Sequence, residues 1–467
     1  MKKFVLLATT LILVIAIVFS CAACTPDAAT NQQLLEQYAS NIDKEMRGSF
    51  DFFWKEAQTD EKYPNAYGLV PDRAGLTKDS PASIASVGFG LAAYVIGVEE
   101  GYVTKDEARE RTLGTLQTVL ALQTSDTNVS HEGFLTHFIN MKTAARASGS
   151  EISSIDTAIM LCGALTAGEY FGGEVAKLAE QIYANVNWTA MRMKKGSQPC
   201  IAMTFEYNET TGEFGKPKTP WDYYAEQLMI YVLGAGSPTE AYRLDDKEYY
   251  AFTRNEGKYG NHKFYHSWFG SIFTYQFSHA FVDFRNKVDK KGTDWWQNSV
   301  EASLAAYEYC KDNSGKSKTF AEGGWGLTAC DAPGGYNGDL GNPPRGWNPD
   351  GNYANVEGTV APCGAIGSVV FTPKQSLEAL AYYQNTDSRV FQLLNRGSYG
   401  LKDSYNLDRN YAADDYIGID KGITLLMLYN FKSGGIWQQF MANQHVQSAM
   451  NVLGFSEVNV SYEAVDA

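Results

Sequence analysis

Carboxylates set among aromatic or apolar side chains are the residues of this sequence best suited to chemistry. Glu226 ends the aromatic run 221–226, and Asp420 lies at the start of an apolar run. Aromatic surroundings disfavour the charged form of a carboxylate and raise its pKa, as a general acid requires. Backbone amides at a helix start would instead keep Asp420 ionised, which suits a base. Such a pair predicts glycoside hydrolysis, in which one carboxyl protonates the leaving oxygen and the other activates water or attacks carbon.

The residues alone do not choose between catalytic and structural roles for these carboxylates. Taken singly, each is better explained by a helix cap or a solvated charge, and Asp420 has the position of an ordinary N-cap. Glu226 is also compatible with an exposed charge in the second turn of a helix. The same ambiguity applies to the other acidic candidates, which are Glu151, Asp156, Glu206, Asp283, Glu322, Glu357 and Asp403.

Three other motifs do not support a function. Residues 88–93 match a glycine-rich dinucleotide fingerprint, but they lie inside an apolar helical run without a preceding strand, so close helix packing is the better interpretation. His131 and His137 are too far apart in sequence to share a helix face, which argues against a zinc site. No Gly-x-Ser-x-Gly elbow is present, and no cysteine has an obvious local partner for thiol chemistry. We therefore expect no metal and no cofactor.

Charge and cysteine content narrow the class of partner. The formal net charge is −14 at pH 7, and the 39 basic residues are spread without a cluster, which argues against nucleic acid and strongly anionic substrates. A neutral polymer fits this charge, and aromatic residues, at 13% of the chain, offer flat apolar faces that suit sugar rings. The cysteines beyond position 24 have neither disulfide-framework nor metal-ligand spacing, and Cys162 lies in an apolar run typical of a core.

The N-terminus indicates export. Residues 2–3 are positive, residues 4–19 form an uncharged apolar run shorter than the ~20 residues of a spanning helix, and small residues follow. Cys21 and Cys24 lie in overlapping lipobox-like sequences, so we expect a lipid anchor on the outer side of the bacterial cytoplasmic membrane. The alternative is an ordinary cleaved signal and a secreted protein. We predict a signal over 1–24, a polar tether over 25–33 and a single domain over 34–467.

Helical periodicity dominates the rest of the chain. Clean alternation of apolar and polar residues is confined to 201–207 and 458–462, and nothing indicates a parallel sheet. The long Gly- and Pro-rich stretch 321–355 contains Trp and Tyr and is expected to be a functional loop. Paired helices joined by long loops favour two concentric rings of helices with the loops building one face. The predicted helices are 34–57, 83–99, 104–123, 154–170, 174–188, 221–233, 239–253, 273–285, 294–312, 373–384, 421–431 and 436–453.

Several stretches, taken together and in order, resemble glycoside hydrolase family 144, the endo-β-1,2-glucanases, and the overlapping glucoamylase-like domain. The resemblance extends from about residue 42 to residue 443, nearly the whole mature chain. One such stretch would be weak support, whereas all of them in order are specific. The matching stretches are GFGLAAYVIGVE (88–99), GFLTHF (133–138), SSIDTA (153–158), WDYYAE (221–226), DFR (283–285), WGLTA (325–329), GTVAP (358–362), YGLKD (399–403) and GIDKG (418–422).

The resemblance implies an all-α (α/α)6 barrel whose loops form a substrate cleft. It also implies hydrolysis of β-1,2-glucan to sophoro-oligosaccharides, endo-acting and with inversion. By position, Glu226 resembles the family's general acid, and Asp420 is our choice for the base. Lys421 follows Asp420 where a neutral Gln is expected, and its charge would either hold Asp420 ionised or form a structural ion pair. The residues expected to line the cleft are Asp156, His137, Trp221, Tyr224, Trp325 and Asp403.

Two alternatives to β-1,2-glucan hydrolysis stay open. One is hydrolysis of another glucan linkage, as the glucoamylase label suggests, and the other is a non-catalytic glycan-binding lipoprotein that keeps the cleft without turnover. The presence of both Glu226 and Asp420 argues against the second. We expect a monomer that meets a neutral glucan or oligosaccharide, without nucleic acid, and contacts the membrane only through its lipid. Whether the enzyme acts within chains or from their ends depends on loop lengths.

Overall fold

The computed structural model describes residues 30–77, 79–125, 127–347, 356–394 and 397–458. The predicted signal and the first part of the tether, residues 25–29, lie outside these ranges. Among the described residues, no helix combines the length and the apolar character needed to cross a membrane.

Helices are the most abundant regular element of the described chain. They are joined by short 3-10 turns at Pro64–Ala66, Trp188–Met191, Glu240–Tyr242 and Ile272–Tyr275. The α-helices are α1 (Asn31–Glu56), α2 (Ile84–Glu99), α3 (Lys105–Thr124), α4 (Ser154–Phe171), α5 (Gly173–Ala184), α6 (Leu228–Gly236), α7 (Lys247–Ala251), α8 (Phe277–Phe281), α9 (Trp295–Asp312), α10 (Lys318–Ala321), α11 (Pro362–Ile366), α12 (Pro373–Gln384), α13 (Arg389–Leu394), α14 (Gly418–Ser433), α15 (Gly435–Ala442) and α16 (Gln444–Val452).

The strands are short, antiparallel and mostly paired in twos between helices. The largest sheet joins β6, β8, β7 and β9, and its central strand β8 contains the predicted strand 201–207. Of the other predicted strand, Val458 lies outside any strand and 459–462 lie outside the described residues. The strands are β1 (Arg73–Ala74), β2 (Ala82–Ser83), β3 (Ser130–His131), β4 (Phe134–Leu135), β5 (Phe138–Ile139), β6 (Ile152–Ser153), β7 (Arg192–Lys195), β8 (Gln198–Asn208), β9 (Glu213–Pro220), β10 (Glu256–Tyr259), β11 (His262–Tyr265), β12 (Lys287–Val288), β13 (Cys330–Ala332), β14 (Gly335–Asn337), β15 (Tyr405–Asn406), β16 (Tyr411–Ala412), β17 (Tyr416–Ile417) and β18 (Ser456–Glu457).

The helices form an inner and an outer layer. Helices α2, α4, α6 and α14 are buried along nearly their whole length, which agrees with their apolar residues on all sides. Helix α2 packs against α4 and α14, and α4 packs against α6. Amphipathic helices cover this layer: α1 contacts α14, α5 contacts α4, and α16 contacts α6. The inner helices therefore form the core of the described chain.

Capping side chains set several helix starts. Thr104 accepts a hydrogen bond from the Glu107 amide, and the Glu107 side chain accepts one from the Thr104 amide, at the start of α3. Thr30 and Gln33 form the same capping box at the start of α1. The predicted tether over 25–33 is therefore wrong at 31–33, because this box starts the helix three residues earlier.

Three predicted helices are broken, and a side-chain oxygen that accepts a nearby backbone N–H lies close to a break in each. Side-chain oxygens of Asp245, Asp283 and Asn443 accept the backbone N–H two residues further on, at 2.8, 3.1 and 3.0 Å. Such local bonds compete with helical hydrogen bonds. They split 239–253 and 436–453 and accompany the early end of 273–285 after α8. The helix predicted over 174–188 also ends early, at Ala184, before a 3-10 turn.

The glycine-rich run 88–93 is a helix-packing face, as its apolar setting predicts. Gly88 lies on α2 against α4, and a Cβ at this position would stand 2.5 Å from the Met160 Cα and also overlap the Ile159 carbonyl. Gly163, on the facing side of α4, has no room for a side chain against Gly88 either. Glycine therefore allows the two inner helices to approach backbone to backbone.

Replacing Gly88 with Ala should lower the free energy of unfolding by about 1–3 kcal/mol, because the backbone of α4 must move to make room. The measurement is chemical denaturation followed by circular dichroism. Gly90→Ala is the matched control on the same helix: its Cβ would meet only side-chain atoms, at 3.2 Å from Val70 and 3.4 Å from Phe53. The ~1 kcal/mol gain in helix propensity offsets that crowding. Equal losses in the two variants would contradict close packing at Gly88.

Candidate active site

The candidate acids lie where the inner helices begin. Asp156 is the third residue of α4, Asp420 is the third residue of α14, and Glu226 precedes α6 by two residues. Helix α14 starts at Gly418, three residues before the predicted start, so Asp420 lies within the first turn and Ile417 occupies the N-cap position. These helix starts bring residues that are far apart in sequence to one face.

The segment that carries Glu226 is a loop, so the predicted helix 221–233 is wrong before Leu228. The backbone N–H of Tyr224 donates to the Thr253 carbonyl at 3.0 Å, which ties the segment to a neighbouring chain instead of a helical turn. The Gln227 side chain donates to the Tyr223 carbonyl at 2.8 Å. Ser278 of α8 donates to the carbonyl of Glu226 itself at 2.5 Å. Glu226 is therefore held by its backbone, which leaves its carboxyl for other contacts.

Two aromatic residues of this segment were expected to contact substrate. They pack into the core instead and support the loop. Tyr224 is fully buried and its ring stacks on Trp295 at a centroid distance of 4.7 Å. Trp221 is also buried, and its indole N–H donates to Ser154 at 3.1 Å. The predicted substrate contacts of Trp221 and Tyr224 are corrected, because aromatic residues that are packed into the core cannot present a face to a sugar.

The environment of Glu226 suits a general acid. Burial, against a lowering by its own backbone N–H and with a smaller contribution from the negative charge of Asp156, raises the pKa of its carboxyl to about 7. The aromatic run 221–226 predicts the same upward shift of the Glu226 pKa. Glu226 therefore keeps its proton in mildly acidic solution and can donate it.

His137 and Asp156 lie together, as expected for two residues of one site. The His137 ring is 3.7 Å from the Asp156 carboxylate and 3.0 Å from that of Glu151. Burial alone would lower the pKa of His137, but Asp156, Glu151 and Asp72 outweigh it and raise the pKa to about 9. The imidazole is therefore cationic at neutral pH and lies among three carboxylates.

Asp403 and Asp420 form a buried carboxyl pair. They are 2% and 9% exposed, and burial followed by the charge of Asp420 raises the pKa of Asp403 well above its usual range. Burial also raises the pKa of Asp420, although hydrogen bonds from Asp403 and Cys363 lower it. Each carboxyl has one buried oxygen without a donor, which a proton shared by the pair would satisfy. These contacts favour the proton on Asp403 and the negative charge on Asp420.

Lys421 forms a structural ion pair, the second of the two outcomes expected for it. Its ammonium donates to Glu45 of α1 at 2.6 Å and to the Leu401 carbonyl at 3.0 Å, and both charged side chains are fully buried. Its charge lowers the pKa of Asp420, but burial has the larger effect, so the net direction is opposite to the one expected. Glu45 also accepts the Leu401 N–H, which positions the segment before Asp403.

Arg73 links the carboxylates around His137 to the Asp403–Asp420 pair, and no motif in the sequence identifies it. Its guanidinium is 3.4 Å from Asp72, which adjoins His137, and 3.0 Å from Asp331. The Asp331 N–H in turn donates to Asp403 at 2.7 Å. Ion pairs, charge interactions and the Asp331 backbone hydrogen bond therefore connect the expected acid to the expected base, in the order Glu226, Asp156, His137, Asp72, Arg73, Asp331, Asp403 and Asp420.

A cavity of about 610 Å³ opens beside Arg73, large enough for a small-molecule ligand. Arg73, Lys402 and Tyr416 line it, whereas Glu226 does not. Lys402 also lines a cavity of about 10 Å³ against Asp403 and Asp420, near the size of one water molecule.

The described part of the loop 321–355 contains the β13–β14 hairpin, and the functional role expected for this loop stays a prediction. Trp325 is buried at 1% exposure, so its predicted place on the cleft surface is corrected. The hairpin β13–β14 carries Tyr336, which is 60% exposed. Burial of its hydroxyl end and the charges of Asp420 and Asp403 raise its pKa, so this end lies near the buried carboxyl pair. Residues 348–355 lie outside the described ranges.

The remaining acidic candidates have other partners. Glu206 is exposed and pairs with Lys218 at 2.6 Å, and Asp283 pairs with Arg285 at 2.8 Å. Glu322 accepts a hydrogen bond from Tyr382 at 2.6 Å. Within the ranges that the structure describes, no group of His, Cys, Asp and Glu could hold a metal ion, and Cys162 is a buried free thiol.

The sequence and the fold both have relatives among glucan hydrolases. Residues 218–444 match the family described as "Putative glucoamylase". The chain is 27% identical to an exo β-1,2-glucooligosaccharide sophorohydrolase (non-reducing end) of Parabacteroides distasonis, over 90% of this chain. The chain spans 58% of the length of that relative.

Solved structures share the fold. The endo-β-1,2-glucanase of Chitinophaga pinensis, in complex with sophorotriose and glucose, superposes with a TM-score of 0.76 at 22% identity, covering 90% of this chain and 99% of the other. A β-1,2-glucanase from Parabacteroides distasonis gives 0.74 at 22% identity, covering 91% and 60%. The resemblance seen in the sequence is confirmed: residues 218–444 match the glucoamylase family model, and the chain is similar in sequence to a β-1,2-glucooligosaccharide sophorohydrolase and in fold to proteins named β-1,2-glucanases.

Proposed function

We propose that the protein hydrolyses β-1,2-glucan. The observation that carries this proposal is a half-buried Glu226 with a pKa of about 7, beside ionised groups, in a chain related to β-1,2-glucan hydrolases. A carboxyl that is protonated near neutral pH and faces other carboxylates has the properties of a glycosidase acid. The negative charge of the chain fits a neutral substrate.

The proposed reaction uses the two carboxyl groups in separate roles. Glu226 donates its proton to the glycosidic oxygen as the bond between that oxygen and the anomeric carbon breaks. A water molecule attacks the anomeric carbon, and its proton passes to Asp420, directly or through a hydroxyl of the substrate. Asp403 stays protonated and donates a hydrogen bond to Asp420. Single displacement by water inverts the anomeric configuration.

The finer features form part of the same proposal. We infer that the inner helices close into an (α/α)6 barrel and that cleavage occurs within chains, releasing sophoro-oligosaccharides. The signal and the cysteines at 21 and 24 support export and a lipid anchor, and the protein is proposed to act as a monomer.

The test is the product profile of the purified protein on β-1,2-glucan, starch and β-1,3-glucan. We expect reducing ends only from β-1,2-glucan, an early fall in viscosity, a mixture of oligosaccharides, and a first-formed α-anomer by NMR. Release of sophorose alone without a fall in viscosity would replace endo by exo action. Cleavage of starch instead would support the second candidate, hydrolysis of another linkage, which the family description favours.

A further inference from the structure

Two tryptophans and one tyrosine form an exposed aromatic shelf, made of Tyr223, Trp268 and Trp347. The two indoles are each 45% exposed, and Tyr223 is half-buried. The ring of Tyr223 meets that of Trp268 edge to face at a centroid distance of 5.5 Å. Large aromatic side chains that stay in contact with water and with each other form the kind of apolar patch that marks a binding surface.

The backbone holds the shelf in place. The Trp347 N–H donates to the Trp268 carbonyl at 3.3 Å, and the Gly346 N–H donates to the Ser267 carbonyl at 3.0 Å. Gly346 has no room for a Cβ, which would stand 2.7 Å from the Trp268 ring and 3.1 Å from Tyr223. The guanidinium of Arg345 lies 4.2 Å from the centre of the Trp347 ring. The rings are therefore positioned before any ligand binds, which lowers the entropy cost of binding.

The shelf lies beside the candidate acid. Tyr223 belongs to the same backbone-tied loop as Glu226. Trp268 belongs to the segment that leads into α8, and α8 packs against α14, the helix that carries Asp420. Since the Trp268 ring contacts Tyr223 and Glu226 follows Tyr223 by three residues, a chain held at Glu226 can continue over the shelf.

We propose that the aromatic shelf binds a glucosyl unit of the substrate chain that lies beyond the bond being cut. This inference rests on the proposed function. A pyranose ring has an apolar C–H face that packs on an indole, while hydroxyls at its rim meet polar groups. The Tyr223 hydroxyl, which lies 3.5 Å from the His266 ring, and the Arg345 guanidinium supply such groups. The three residues of the shelf are uncharged, which also suits a neutral sugar.

We expect the shelf to contribute to the binding of long glucan chains and not to the binding of short ones. We expect Trp268→Ala and Trp347→Ala each to weaken binding of long β-1,2-glucan by about tenfold, seen as a higher KM with an unchanged kcat. The shortest oligosaccharide that is cleaved should show no change in KM. Trp268→Phe keeps a ring and should restore part of the affinity. Val452→Ala, an equally exposed apolar residue on α16, is the control and should match the parent.

Calorimetry on a Glu226→Gln background separates this inference from the proposed function. Weaker binding of long glucan in the two tryptophan variants supports the shelf. Equal affinity in the parent and the variants overturns it, as does an equal loss for long and short chains. A shift to a smaller species in size-exclusion chromatography on Trp268→Ala would also overturn it, because the shelf would then be an interface between copies. Failure of the proposed function would appear separately, as a parent protein that binds but never cleaves β-1,2-glucan.

Discussion

Glu226→Gln should lower the rate of β-1,2-glucan hydrolysis by about 10²–10⁴-fold while leaving the affinity for the glucan nearly unchanged. Removal of a general acid costs a factor of this size. The amide keeps the shape of the side chain, and the loop is held by backbone bonds to Thr253 and Ser278 rather than by the carboxyl. Initial rates and calorimetric binding measure the two effects.

The pH profile gives an independent check of the same role. Burial raises the pKa of Glu226 to about 7, so the carboxyl is protonated and active below that pH. Activity of the parent should fall as pH rises through about 7, and this alkaline limb should be absent from the residual activity of Glu226→Gln.

Aryl glycosides whose leaving group needs no proton should recover much of the rate that Glu226→Gln loses. Glu206→Gln, at an exposed ion pair with Lys218, is the matched control. An unchanged rate in Glu226→Gln would exclude it as the acid.

Local sequence signals predict the helical layers well. The inner helices are apolar runs, and two of them begin after a capping serine, Ser83 before α2 and Ser153 before α4; these signals act within a few residues. The aromatic setting of Glu226 likewise predicts the direction of its pKa shift. Where Asp or Asn forms a bond to a nearby amide, as at Asn443, the periodic pattern continues although the helix does not.

Local sequence signals cannot predict features that depend on contacts between residues far apart in the sequence. Trp221, Tyr224 and Trp325 look like sugar-binding rings in sequence, yet packing against other helices buries them. The Lys421–Glu45 pair joins residues 376 positions apart. Arg73 carries no local motif, and its place between Asp72 and Asp331 comes from the approach of two loops. Composition records the side chains available, whereas tertiary contacts decide which of them face a substrate.

The two members of the buried carboxyl pair should respond unequally to the same substitution. Asp420→Asn should lower the hydrolysis rate by about 10²–10⁴-fold, because the ionised acceptor for the water proton is lost. Asp403→Asn should stay within about tenfold of the parent, since Asp403 already acts as a donor and the amide N–H can replace its carboxyl O–H. Rates at several pH values, with thermal midpoints to verify folding, measure the difference.

Which of the two variants, Asp420→Asn or Asp403→Asn, loses more activity shows which carboxyl holds the proton. Lys421 and the Cys363 thiol lie beside Asp420 and favour the negative charge there, whereas the Asp331 N–H that donates to Asp403 acts in the opposite direction. If Asp403→Asn were the inactive variant instead, the proton would reside on Asp420 and the roles would exchange. If both variants kept the parent rate, the pair would be structural, and Asp156, whose charge already acts on Glu226, would become the partner of the acid. In that case the chemistry would lie at the start of α4 and not at that of α14.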